Sequence, residues 1–352
     1  MNIVDILVEV FSYLVEWVKP RGKSKFPIRK LGLGLTTALF LVFLFYLLTY
    51  ILNGKIEAAI VMVIQFVLSV LLYETILLIF YVPLRKKCYS YHLVMLWQWV
   101  GLVVLQPKKG FIDWIQSMYI SDKAFYTVVI LWLLGAIVRF SIDVIRHKRL
   151  LVKLNEGSLS NLDEKTKKIF ENILLEVSTQ YDTQISGINI KKTMGIKTPI
   201  AVGALKPTIY LPLNEYSDLE LEYVFRHELV HIVNADNDIK VLISFINALL
   251  WFLPFMKRVT KLVAEDIELA CDEVVLDEKG ENERKLYANL ILNQQAEMNG
   301  FSTCLSASAE SLKYRLNRII SPKIHGKLLG IVANIIGLSL SIGLSEIFLL
   351  LL

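Results

Sequence analysis

Apolar residues in this chain come in long runs separated by short basic loops. LGLGLTTALFLVFLFYLLTYIL (31–52) carries no charge, and a second run over 57–82 holds only Glu57 and Glu74. A shorter run covers 91–105, a fourth covers 124–145 and a last one 328–352. Crossing a bilayer takes roughly 20 apolar residues, so the pattern predicts several membrane spans and not a single soluble core. Ahead of them, residues 2–18 put Asp5, Glu9, Ser12 and Glu16 on one helical face with Ile, Leu, Val and Phe opposite. That helix either lies on the membrane or packs its polar face inside a bundle.

Between 150 and 240 the pattern changes to that of a water-facing domain. NEGSLSNLDEKTKKIFENILLEVSTQYD reads as soluble and helical, and TPIAVGALKPTIYLP (198–212) pairs two β-prone runs around a Gly/Pro-marked turn, which predicts a hairpin. Ser217 and Glu220 stand in capping-box register, so a helix is predicted to begin near 218. VLISFINALLWFLPF (241–255) is apolar but short and ends at Pro254. Residues 257–297 return to a charged helical pattern, and 298–311 are small, polar and expected to be a flexible loop that could serve as a self-cleavage segment.

Composition sharpens this picture. The chain has 352 residues, 55% of them hydrophobic, with mean hydropathy +0.51; a soluble domain is about 45–50% apolar. The formal charge of +5 comes from Lys and Arg beside the apolar runs, which is a topology signal and not a nucleic-acid surface. It places 19–30, 85–87 and 146–149 in the cytoplasm and 106–123 outside. Cys88, Cys271 and Cys304 show no paired spacing, as in a reducing compartment. Asp5 and Glu9 interrupt the first apolar region, so no cleavable signal peptide is expected.

The candidate chemistry lies in RHELVHIVNAD (226–236). At about 100° per residue, His227 and His231 stand one helical turn apart on one face, so both imidazoles can reach a single ion. Glu228 lies beside them as a candidate general base, the arrangement of a hydrolytic Zn²⁺ site. A third ligand must come from elsewhere. EDIELACDE (265–273) offers Glu268, with Glu265 as its competitor; Asp272, four residues on, could orient a histidine through its other ring nitrogen. Cys271 is a further possible ligand and otherwise a buried thiol. Tyr287, Tyr314 and Arg315 are candidate donors to a developing oxyanion. Both helices must face one ion, so 241–255 cannot cross the membrane once; it must dip in and return, or lie in the interface.

HELVHIVNAD, NALLWFLPF and ELACD, with GALKPTIYLP upstream and LKYRLNRIISPK downstream, together resemble the BlaR/MecR-type membrane zinc metallopeptidases, the beta-lactam sensor and antirepressor family. The resemblance runs from about 57 to 350. It implies His227, His231 and Glu268 as zinc ligands, Glu228 as base, and a structural or ligand-supporting role for Asp236. Residues 1–55 read as an extra module, and the chain stops at Leu352 where the sensors carry an extracellular penicillin-binding domain, so beta-lactam sensing is not expected.

The expected fold is an α-helical polytopic membrane protein with an inserted cytoplasmic α+β zinc metalloprotease domain of gluzincin type. Residues 1–55 form an N-terminal amphipathic helix plus an extra transmembrane helix, 56–149 a three-helix transmembrane core, 150–326 the protease domain and 327–352 a C-terminal transmembrane helix. The expected activity is hydrolysis of a cytosolic regulatory protein, and of the chain itself, at a bacterial-type plasma membrane. Expected partners are a cytosolic protein substrate such as a DNA-binding repressor, the lipid bilayer, a membrane sensor protein and a second copy in a homodimer, with no direct nucleic-acid contact. A CAAX/HtpX-like processing or quality-control protease and a non-catalytic membrane receptor or immunity protein are the alternatives.

Overall fold

The computed structural model describes residues 47, 49–50, 52–54, 56–99, 122–159, 162–181, 185, 187–194, 196–203, 207–298, 305–321 and 327–347. The amphipathic helix expected over 2–18, most of the span expected over 31–52 and the loop 106–121 lie outside these residues. The described chain is mostly helical, with one small mixed sheet. Its elements are α1 (Ile56–Lys87), α2 (Ser90–Gln98), α3 (Asp122–Glu156), β1 (Ser158–Leu159), α4 (Glu164–Tyr181), β2 (Asn189–Thr193), β3 (Ile200–Val202) and β4 (Thr208–Pro212). Then follow α5 (Asp218–Val233), α6 (Asp236–Leu249), α7 (Met256–Val275), α8 (Glu281–Met298), α9 (Leu305–Ile320) and α10 (Lys327–Ile347).

Two helices are long and apolar enough to cross a bilayer, Met62–Lys87 and Thr127–Glu156. The second buries little of itself: Val128, Ile130, Leu131, Leu134, Ile137 and Val138 are all exposed. A contiguous apolar face of this kind is unfavourable in water and natural against lipid. Both helices outrun the apolar runs that predict them. α1 continues through Pro83 to Lys87, and α3 continues through RHKR to Glu156, where Leu154 packs against Val202 and Tyr210 of the sheet.

The sheet order is β1-β2-β4-β3. The hairpin predicted over 198–212 forms: β3 and β4 pair antiparallel, Ile200 opposite Tyr210. β2 pairs parallel to β4, Ile190 beside Ile209. β3 is therefore an edge strand. α5 starts where its sequence signal lies, since the Ser217 Oγ accepts from the Glu220 backbone and the Glu220 carboxylate accepts from the Ser217 backbone. This satisfies two N–H groups that the first turn leaves unpaired.

α7 joins two cores. With α4, β4, α5, α8 and α9 it closes one core around Phe170, Ile209, Phe225, Leu229 and Tyr287. With α1, α2 and α6 it closes the other, around Tyr73, Trp97, Ile243, Val263 and Ile267. In this second core Asp266 is fully buried; Tyr81 Oη and Trp97 Nε1 each donate to its carboxylate at 2.9 Å. Arg85 Nη2 reaches Glu265 at 2.7 Å and its guanidinium stacks on Tyr314, 4.5 Å from the ring centroid. Two turns further on, Glu273 accepts from the Ser90 backbone and hydroxyl and pairs with Arg318. α7 is thus fastened to the α1–α2 corner at two levels.

α6 runs antiparallel along α3. Ser244 donates to Asp143, Phe140 packs edge-on to Phe245, and Trp132 Nε1 donates to the Leu249 carbonyl. The Trp251 indole lies over Gly135, where a Cβ would come within 2.3 Å of it. The turn after α6 therefore sits beside the apolar middle of α3. One expectation needs correction. The segment 298–311 is not a loop throughout: α8 ends at Met298 and α9 begins at Leu305. The Ser/Ala-rich stretch continues into an amphipathic helix whose Leu312, Leu316 and Ile319 pack on the core, and that burial recruits it. Residues 299–304 lie outside the described ones.

Candidate active site

Two helices meet at the base of a cleft of about 520 Å³. α5 contributes His227, Glu228 and His231; α7 contributes Glu268; and the cleft wall includes Thr198 to Ala201, the approach to β3 and its first two residues. His227 and His231 turn their Nε2 atoms toward each other, 3.0 Å apart. Glu268 faces both, Oε2 at 3.5 Å from His227 Nε2 and Oε1 at 3.7 Å from His231 Nε2. A tetrahedral ion with bonds of about 2.0–2.1 Å holds its donors about 3.3 Å apart. The nitrogen pair and each nitrogen's approach to the carboxylate lie close to that value, the two Glu268 distances ending on different oxygens, so the donor set fits a zinc ion once the carboxylate turns one oxygen toward both rings.

The far nitrogens of both rings are held. Asp236, fully buried, lies with Oδ2 2.7 Å from His231 Nδ1. It reaches back because Ala235 adopts a left-handed conformation (φ 56°) that turns α6 away from α5, at a cost of roughly 1–2 kcal/mol. His227 Nδ1 lies 2.8 Å from Tyr287 Oη, whose hydroxyl donates to Asp272 Oδ1 at 2.7 Å. Asp272 itself is 3.7 Å from His227 Nδ1, so it acts on that ring through Tyr287. Arg315 then grips Asp272, Nε to Oδ2 at 2.6 Å and Nη2 to Oδ1 at 2.8 Å. Tethering of this kind fixes ring orientation and raises ligand basicity.

Cys271 is fully buried, its Sγ 3.3 Å from His227 Nδ1. It forms a potential metal-binding group with the two histidines. Its contact with His227 is at Nδ1, whereas Glu268 meets the same ring at Nε2. Glu265, the competing carboxylate, is taken up by Arg85 and lies 3.7 Å from Lys261. Glu228 is 7% exposed and lines the cleft next to both histidines.

The electrostatics favour a cation at this point. Burial pulls the imidazolium forms of His227 and His231 down. For His227 the neighbouring Cys271 and Glu268 outweigh that pull; for His231, Cys271, Glu268 and Asp236 do. Both rings are held protonated above the usual histidine range. Burial pushes Glu268 up, and the two histidines and Arg315 together bring it well below the usual carboxylate range. In the absence of an ion, protons take the charge that the cup of acidic groups demands.

The profile of the family described as BlaR1 peptidase M56 matches residues 60–319. Among curated relatives, the chain is similar to "Regulatory protein BlaR1" of Bacillus licheniformis, 24% identical over 216 residues (58% of this chain, 34% of the relative). It is also similar to "Methicillin resistance mecR1 protein" of Staphylococcus aureus, 24% over 180 residues (50% and 29%), and to "Regulatory protein BlaR1" of the same species, 26% over 193 residues (54% and 32%). The chain spans about a third of the length of the relatives it matches.

Proposed function

The chain belongs to the BlaR1 peptidase M56 family, and on that premise we propose that it is a zinc-dependent endopeptidase of the cell membrane that cleaves a cytosolic regulatory protein of repressor type in signal transduction. The observation that carries this reading is the convergence of His227 Nε2, His231 Nε2 and the Glu268 carboxylate: the nitrogens are 3.0 Å apart, Oε2 lies 3.5 Å from the first and Oε1 3.7 Å from the second. In this reading those three residues hold the metal, with Asp236 orienting His231 and Asp272 orienting His227 through Tyr287. A bound zinc ion supplies Lewis acidity and brings a water within reach of ionisation near pH 7. Glu228 takes the proton of the attacking water on its carboxylate and returns it to the leaving amide nitrogen. An extended substrate adds to the outer edge of β3, whose residues line the cleft, and is selected through main-chain hydrogen bonds.

The membrane placement rests on apolar surface and charge. α1 and α3 span, α10 is the C-terminal transmembrane helix, and residues 56–149 form the membrane core. The α6–α7 turn enters the same layer from one side and returns, supported by its packing beside Trp132 and Gly135. Arg85 to Lys87 and Arg146 to Arg149, at the ends of α1 and α3, support a cytoplasmic side for those ends and for the site. The test is co-expression of the unaltered and Glu228→Gln forms with candidate repressor-type proteins of the source organism. A discrete cytosolic fragment only with the unaltered protein is expected. Cleavage by the Gln form, or broad degradation of membrane proteins with no discrete product, overturns the reading.

A further inference from the structure

We propose that Lys240 is a catalytic residue of this site, its ammonium group stabilising the oxyanion that forms when water adds to the scissile carbonyl. The inference rests on the peptidase reading above. Addition of water puts a full negative charge on the carbonyl oxygen, and a preorganised donor aimed at that oxygen is among the largest contributions an enzyme makes.

The structure commits the three donors suggested by sequence to other partners. Tyr287 donates to Asp272 and faces His227 at Nδ1, the nitrogen turned away from Glu268. Tyr314 donates to the Arg85 carbonyl at 3.3 Å while its ring carries the Arg85 guanidinium. Arg315 Nη1 lies 3.3 Å from Glu268 Oε2, but its Nε and Nη2 are spent on Asp272, which balances its charge whether or not Glu268 does. Of the other cations lining the cleft, Arg85 is neutralised by Glu265 at 2.7 Å, and Lys261 stands 3.7 Å from the same carboxylate.

Lys240 differs. Among the described residues, the carboxylate it approaches within 4 Å is Glu268 itself, Nζ to Oε1 at 3.9 Å. When Glu268 gives its charge to a metal, Lys240 is left as a positive charge at the cleft without a counter-ion. The fold puts it there by a simple register. Asp236 and Lys240 are four residues apart on α6, so they share a face. Asp236 lies behind His231 at Nδ1, and Lys240 lies in front, beside the Glu268 oxygen nearest His231 Nε2. Its side chain is half-exposed, which leaves the ammonium free to follow a substrate oxygen.

The step balances without any added reactant. The water oxygen bonds to the carbonyl carbon and its proton moves to Glu228. The C–N bond then breaks, Glu228 protonates the departing nitrogen, and the oxyanion reverts to a carbonyl in the new acid. Lys240 keeps its proton throughout and contributes charge and one N–H donor.

The experiment compares full-length unaltered, Lys240→Met and Lys240→Arg proteins in detergent for zinc content, cleavage kinetics and binding of two probes. One probe is a substrate peptide, measured in the Glu228→Gln background; the other is a phosphinic peptide whose tetrahedral anion mimics the charged intermediate. Lys240→Met is expected to keep about one zinc per chain and lose about 10²–10³-fold in kcat, with KM little changed. Phosphinic-peptide affinity should fall in step while substrate-peptide affinity holds, and Lys240→Arg should recover much of both losses. A zinc-loaded Met form with kcat and phosphinic affinity within about three-fold of the unaltered protein overturns the inference. So does loss of zinc in the Met form, or an equal loss in the Arg form, either of which assigns Lys240 to supporting the site. If the unaltered protein binds no zinc, or Glu228→Gln cleaves normally, the peptidase reading itself is at fault and the inference falls with it.

Discussion

Replacing Asp236 by Ala should weaken zinc binding by 10- to 100-fold, roughly the effect of removing a buried partner behind a metal-bound histidine. That range corresponds to about 1.4–2.7 kcal/mol. The structure supports a value toward its upper end: the contact to His231 Nδ1 is 2.7 Å, Asp236 is fully buried, and no water can replace the lost oxygen without entering the core. A charge-assisted hydrogen bond of this kind is worth about 1.5–3 kcal/mol. The pH dependence adds a sharper signature. His231 is held protonated above its ordinary range, with Asp236 as one cause, so protons compete with the metal and affinity should rise with pH. Removing Asp236 also weakens the proton's hold on His231. The two effects oppose each other wherever His231 carries a proton, and the affinity of both proteins should rise with pH. Competitive chelator titration of the purified proteins at pH 6 and pH 8 measures both. An affinity of Asp236→Ala within about two-fold of the unaltered protein at pH 8, or an unaltered protein whose affinity falls as pH rises, would refute the reasoning.

Two further perturbations probe the scaffold. Asp266→Ala strands the Tyr81 hydroxyl, the Trp97 indole N–H and part of the Arg85 charge. It should cost about 3–5 kcal/mol, with Asp266→Asn milder, seen as a drop in Tm of the detergent-solubilised protein. Gly135→Leu drives a side chain into the Trp251 indole. It should loosen the α6–α7 turn from α3, read as faster hydrogen exchange over 246–256 with little change over α4.

What the sequence discloses is what depends on near neighbours. The Ser217–Glu220 box, the 198–212 hairpin and the shared face of His227 and His231 are all set by residues within about a dozen positions. β2 is not visible that way, because NIKKT is polar and pairs with β4 across an intervening hairpin strand. Nor are the true ends of α1 and α3. Arg85 reads as the close of an apolar run, yet the helix holds because residues 180 positions away accept its guanidinium. The fastening of Asp266 to Tyr81 and Trp97 spans 185 and 169 positions. Tyr287 is weighed in the sequence as an oxyanion donor, and only the fold turns it into the link between Asp272 and His227. Lys240 belongs to no motif, and its place beside Glu268 follows from the left-handed turn at Ala235.

The central claim is that one zinc ion is shared by His227, His231 and Glu268. X-ray absorption at the zinc edge of the purified full-length protein tests it most directly. A first shell of nitrogen and oxygen at about 2.0–2.1 Å, with outer scattering from two imidazoles that is lost in His231→Ala, is the predicted result. A sulfur shell at about 2.3 Å would put Cys271 in place of the Glu268 carboxylate and contradict the account.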